Sequence, residues 1–200
     1  MTSSRATGGA AMTIITTPTD DEVSGTTAEI YASDRDDLGY VAEHTRLMAM
    51  NLDAFAAWED LARAVARPLG LRRYELVTLA AAKGAGSALC RLAHGRRSLS
   101  LFEAGQLERI ARDHRDAGLT DAEVAMMDFA EKVSRDAAGM TDADGETLRR
   151  HGFSDREIVD IALAAAARNY YSRAIAALGA SVEEMPGLDP RLAAALTEGL

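Results

Sequence analysis

The chain has 200 residues, a formal charge of −9 and 48 % apolar residues, enough for one globular domain with a real core and a polar end. The acidic balance argues against a nucleic-acid partner, the single cysteine excludes an intramolecular disulfide, and no apolar run approaches the roughly 20 residues of a membrane span. Residues 1–9 lack the apolar stretch of a secretory signal, so a cytoplasmic location is expected.

Abundant alanine with little proline and few aromatics favours helix over sheet, and the expected class is all-α. Residues 1–24 are polar and read as a disordered arm. Helical periodicity begins near Thr27, and Asp34 to Gly39 reads as a turn. Over 42–66, Leu47, Met48, Leu52, Phe55, Trp58, Leu61 and Val65 recur at spacings of three and four, with a break near Asn51; Pro68-Leu69-Gly70 ends the stretch. A helix is expected over 72–83, broken by Gly84-Ala85-Gly86, and Ser87 reads as the N-cap of the next, which runs to about Ser98. Ser100 with Glu103, Thr120 with Glu123 and Ser154 with Glu157 have capping-box spacing, and Thr141 with Asp144 resembles it. The box at Ser154 opens a long alanine-rich helix to Leu178. Met126, Met127, Phe129 and Val133 read as core. Thr13 to Thr16 is the only β-leaning stretch, and Gly187 onward reads as a short helix or tail. The division expected is an arm over 1–24, a helical domain over 25–182 and a tail over 183–200.

Six identities recur at an offset of 82, pairing Gly70, Glu75, Val77, Ala80, Ala82 and Arg91 with Gly152, Glu157, Val159, Ala162, Ala164 and Arg173. Two helical units of similar pattern would produce this, and so would chance among alanine-rich helices. In the second unit Asn169, Ser172 and Ala176 stand opposite Ser87, Cys90 and His94. The shared scaffold therefore does not demand a thiol and an imidazole.

Those two groups are the chemical candidates. Residues four apart on a helix share a face, which places His94 beside Cys90. With Ser87 as N-cap, Cys90 lies in the first turn, where unpaired amides and the helix dipole favour a thiolate. His94 can take the thiol proton, and a helix–break–helix hairpin can return Glu75 to orient the imidazole. The same residues also fit a packed interior, since a lone cysteine in an alanine-rich helix behaves as a small hydrophobe. A metal site would need a third ligand, and His44, His114 and His151 show no ligand spacing. No cofactor is expected. Arg91, Arg96 and Arg97 read as a solvated helix face.

The segment from Glu75 through Gly84-Ala85-Gly86-Ser87 and Cys90 to His94 resembles the alkylhydroperoxidase D (AhpD)-like / carboxymuconolactone decarboxylase superfamily. Its redox members carry Glu, eleven residues, then Cys-x-x-Cys-x-x-x-His. The similarity extends from about Asp36 to Leu178. It takes in Leu38-Gly39-Tyr40-Val41, Gly118-Leu119-Thr120-Asp121-Ala122-Glu123, Phe129-Ala130-Glu131-Lys132, and Gly152-Phe153-Ser154-Asp155-Arg156-Glu157-Ile158 leading to Ala167-Arg168-Asn169-Tyr170-Tyr171, a pattern similar to the peroxidase-related subgroup. The resemblance implies an all-helical bundle that assembles as a homo-oligomer (dimer, trimer or hexamer). It implies Cys90 as peroxidatic thiol and Glu75 with His94 as proton relay.

Ser87 stands where those members have their first cysteine, so it cannot form the disulfide, although its hydroxyl can donate to a thiolate or sulfenic acid at Cys90. Oxidised Cys90 would stop at sulfenic acid unless an external thiol resolved it. A one-cysteine hydroperoxide reductase with an external thiol reductant is the favoured expectation. The alternatives are a decarboxylase-like lyase, using His94 and Glu75 on a small lactone acid held by Arg91, Arg97 or Lys83, and a non-catalytic oligomeric binding or sensor protein.

Overall fold

The structure, a computed structural model, describes residues 13–200. Nine α-helices and two short 3-10 turns make up its regular structure, with no strand among the described residues, so the all-α expectation holds. Among the described residues no helix is long and apolar enough to cross a membrane.

Helix α1 (Gly25–Leu38) continues through the stretch expected to turn. The turn comes one residue later. Gly39 adopts φ 84°, and its amide closes the helix on the Arg35 carbonyl. Asp34 stays helical and accepts a hydrogen bond from the Ala42 amide at 3.0 Å. Residues 1–12 of the expected arm lie outside the described residues. Residues 13–24 are not helical but are attached: Ile14 N donates to the Leu178 carbonyl at 3.1 Å, Arg46 to the Pro18 carbonyl at 3.0 Å, and Asp20 pairs with Arg35 and Arg46.

After α2 (Glu43–Met48), Asn51 caps α3 (Leu52–Gly84) by accepting from Ala54 N at 3.0 Å. Gly70 interrupts α3 with φ 72° and ψ 159°, a conformation open to glycine at little cost. The chain redirects there and becomes helical again at once. Arg72 and Arg73, just past the bend, reach Glu123 and Glu157, the acidic members of two capping boxes. Beyond them Tyr74 to Ala82 are all buried. A helix apolar on every side sits at the centre of its domain, and this one is packed by α8 (Asp155–Ala177), α6 (Asp121–Asp136) and α4 (Ala88–Ser98). Small side chains allow close approach: a Cβ at Gly84 would stand 2.4 Å from the Glu131 carbonyl oxygen of α6.

The boxes at Thr120, Ser154 and Thr141 form, the last opening α7 (Asp142–Arg150). The one expected at Ser100 does not. Its hydroxyl donates to the Arg97 carbonyl, and Glu103 precedes α5 (Ala104–Arg112) as an N-cap without a side-chain bond. Past residue 183 the chain forms α9 (Pro190–Thr197), which buries Leu192, Ala195 and Leu196 against α5 and α4.

Candidate active site

The break after Gly84, at Ala85-Gly86, sets the site. It lets α4 fold back along α3, and Ser87 becomes the N-cap of α4, its oxygen accepting from Cys90 N at 3.4 Å. Cys90 is thereby in the first turn, 2 % exposed, with His94 one turn on. The hairpin brings α3 to His94, whose Nδ1 lies 2.6 Å from Glu75 Oε2. Glu75 is fully buried, and Arg97 approaches its other oxygen at 3.5 Å.

Burial, and then the charge of Arg168, hold the His94 imidazole down to about 4 despite the pull of Glu75. Burial opposes ionisation of Glu75, yet the His94 hydrogen bond and the nearby charges of His94, Arg97 and Arg168 outweigh it and keep its carboxyl below the usual range. At neutral pH the pair is thus a neutral imidazole donating Nδ1–H to a carboxylate. Nε2 is left as a base.

Cys90, His94, Leu89, Ala93 and Arg97 of α4, Trp58 and Tyr74 of α3, His44 of α2 and Arg168 and Tyr171 of α8 line one cavity of about 360 Å³. The Cys90 sulfur accepts hydrogen bonds from the Ser172 hydroxyl at 3.2 Å and from Arg168 Nη1 at 3.7 Å. Arg168 is 6 % exposed and is stacked over the rings of Trp58 and Tyr171 at 5.4 and 5.7 Å. His44, its Nδ1 buried without a partner, is held below its ordinary range by burial and by the charge of Arg168.

The structure therefore gathers Cys90, His94 and Glu75 and sets Ser87 apart. The Ser87 hydroxyl serves the α4 backbone, and the sulfur's donors come from α8 instead. Arg168, Ser172 and His44 are the residues that sequence reasoning missed. For Ser172 a signal existed, its place opposite Cys90 at the offset of 82. The reading of Arg91 as solvated is corrected: it is 2 % exposed, and Nη2 donates to the Ala111 carbonyl at 2.6 Å in the interior. It does not line the cavity, and neither does Lys83, which faces Glu131 at 3.5 Å.

No family model and no curated protein matches the sequence. Solved structures do. An uncharacterized peroxidase-related protein from Ralstonia eutropha, described as an AhpD core, is 24 % identical at TM-score 0.71, over 86 % of this chain and 93 % of that one. A peroxidase-related protein from Silicibacter sp. is 27 % identical at TM-score 0.73, over 86 % and 92 %. A debrominase, Bmp8, with a cysteine replaced by alanine and 2,3,4-tribromopyrrole bound, is 16 % identical at TM-score 0.73, over 95 % and 99 %. The fold is thus AhpD-like and all-helical. The chain shares it with AhpD-core, peroxidase-related proteins, as the sequence resemblance implied. That fold also hosts a debrominase, so fold alone does not fix the reaction.

Proposed function

We propose that the protein is a one-cysteine thiol peroxidase reduced by an external thiol. The observation that carries this reading is that Cys90 shares a cavity with the neutral, Glu75-oriented His94 while its sulfur accepts from Ser172 and Arg168. His94 Nε2 takes the thiol proton. The sulfur attacks the outer oxygen of a hydroperoxide, an S–O bond forms as the O–O bond breaks, and His94 returns the proton to the leaving alkoxide. Cys90 is oxidised to sulfenic acid and the hydroperoxide reduced to an alcohol. One external thiol then forms a mixed disulfide and releases water, and a second frees Cys90. Ser87 acts in this scheme as a cap. Assembly as a homo-oligomer belongs to the same proposal.

Hydroperoxide consumption with dithiothreitol as reductant tests the scheme. Turnover is expected to fall to background in Cys90→Ala and by about a hundred-fold in His94→Gln, the usual size of a general acid–base contribution. No turnover above background in the native protein overturns it. The buried Glu75–His94 pair also favours a second reading, acid–base chemistry on a lactone acid. That activity would survive Cys90→Ala.

A further inference from the structure

Two arginines are buried beside the α3–α4 hairpin, and they differ in what they face. Arg91 points into the interior, away from the cavity, where Nη2 donates to a backbone carbonyl and Nε and Nη1 are buried without a partner. Arg168 lines the cavity, its Nε is buried without a hydrogen-bond partner, and no carboxylate among the described residues pairs with it. Glu75, which feels the charge of Arg168, is committed to His94 and Arg97. Glu59, at the rim, is exposed. The Trp58 and Tyr171 ring faces hold the guanidinium flat without neutralising it. A buried cation that lacks a carboxylate partner and opens on a cavity is an unfilled half of an ion pair.

We infer that Arg168 anchors the substrate by an anionic group, and that the substrate is a small organic acid. A guanidinium receives a carboxylate through two parallel N–H donors. Because Arg168 Nη1 is only 3.7 Å from the Cys90 sulfur, a carboxylate seated there sets the reactive atom within a few bonds of itself. The apolar remainder lies against Trp58 and Tyr171. Arg168 thus decides which molecules reach the thiol. The inference deepens the proposed function by naming a substrate class for the same site, and its test needs no peroxide.

Cys90 is the only cysteine, so its alkylation can be followed by intact mass. Iodoacetate and iodoacetamide undergo the same displacement, in which an S–C bond forms, the C–I bond breaks and iodide leaves. They differ in the carboxylate beside the reacting carbon. The ratio of their rates on the native protein is expected to exceed the ratio on the urea-unfolded protein by about ten-fold or more. Arg168→Met returns it to the unfolded value, whereas Arg96→Gln, paired with Asp37 outside the cavity, leaves it unchanged. Equal native and unfolded ratios overturn the inference, as does a raised ratio that persists in a folded Arg168→Met variant. Should that variant fail to fold, protection of native Cys90 from iodoacetamide decides: benzoate must protect at concentrations where benzamide does not, and equal protection overturns the inference. A raised ratio in a protein inert to peroxide would sink the peroxidase scheme and leave the anion anchor standing.

Discussion

The α3–α4 hairpin and α8 bring together Cys90 and Ser172, 82 residues apart in the chain, and differ in one physical respect. In the hairpin the helix is broken before Ser87, so Cys90 has a helix N-terminus beneath it and Glu75 folds back to His94. In α8 the helix runs unbroken from Asp155 to Ala177, and Ser172 lies in its interior. The two meet at the sulfur, where Ser172 donates to Cys90. Breaking a helix creates a site with unpaired amides and a second helix folded against it. Leaving it whole creates a rigid rod that presents Arg168 and Ser172, four apart, to that site.

The largest effect expected comes from exchanging the two positions. Cys90→Ser with Ser172→Cys keeps both atom types at the contact but moves the thiol to mid-helix, away from the N-terminus and from the His94 face. Peroxide turnover should be lost entirely. Turnover near the native level would show that the break does not matter.

A smaller effect separates the buried pair from the rest of the fold. His94 is held to about 4 when folded, against an ordinary value of 6.5. Between these values the unfolded chain binds a proton that the folded chain refuses. Stability is therefore full above about pH 6.5 and falls as pH falls toward 4, by on the order of 3 kcal/mol over the window. Glu75, held below its ordinary 4.5 when folded, adds a loss of the same sign at still lower pH. Urea unfolding at pH 7 and pH 4.5 should show this drop in the native protein and a much shallower one in His94→Gln. Equal drops would contradict the assignment.

Local signals made one side of this comparison legible. A glycine-rich break followed by a serine marks the start of α4, a spacing of four puts Cys90 and His94 on one face, and a short hairpin returns Glu75. The capping boxes at Thr120 and Ser154 likewise show in residues three apart. The α8 side showed in the sequence only as Ser172 standing opposite Cys90 at the offset of 82, because Arg168 and Ser172 meet Cys90 across 78 and 82 residues of sequence, and contact at that distance is decided by packing. Alanine precedes Arg168 over 164–167, and Asn169, Tyr170 and Arg173 follow it, so no regular polar stripe on α8 marks Arg168 for burial. Arg91 misled for a related reason: its neighbours Arg96 and Arg97 are surface residues, and only the packing of α4 turns Arg91 inward. Ser100 shows the limit of a local motif, since its hydroxyl had a nearer acceptor at Arg97.

On the proposed function Cys90, though buried, is a working thiol served by both helices. The sharpest test is intact mass after one equivalent of hydroperoxide, without reductant. The expected result is the gain of one oxygen at Cys90, removed by dithiothreitol and absent in Cys90→Ala. A protein that keeps its native mass, while its urea-unfolded form is oxidised under the same conditions, would contradict it.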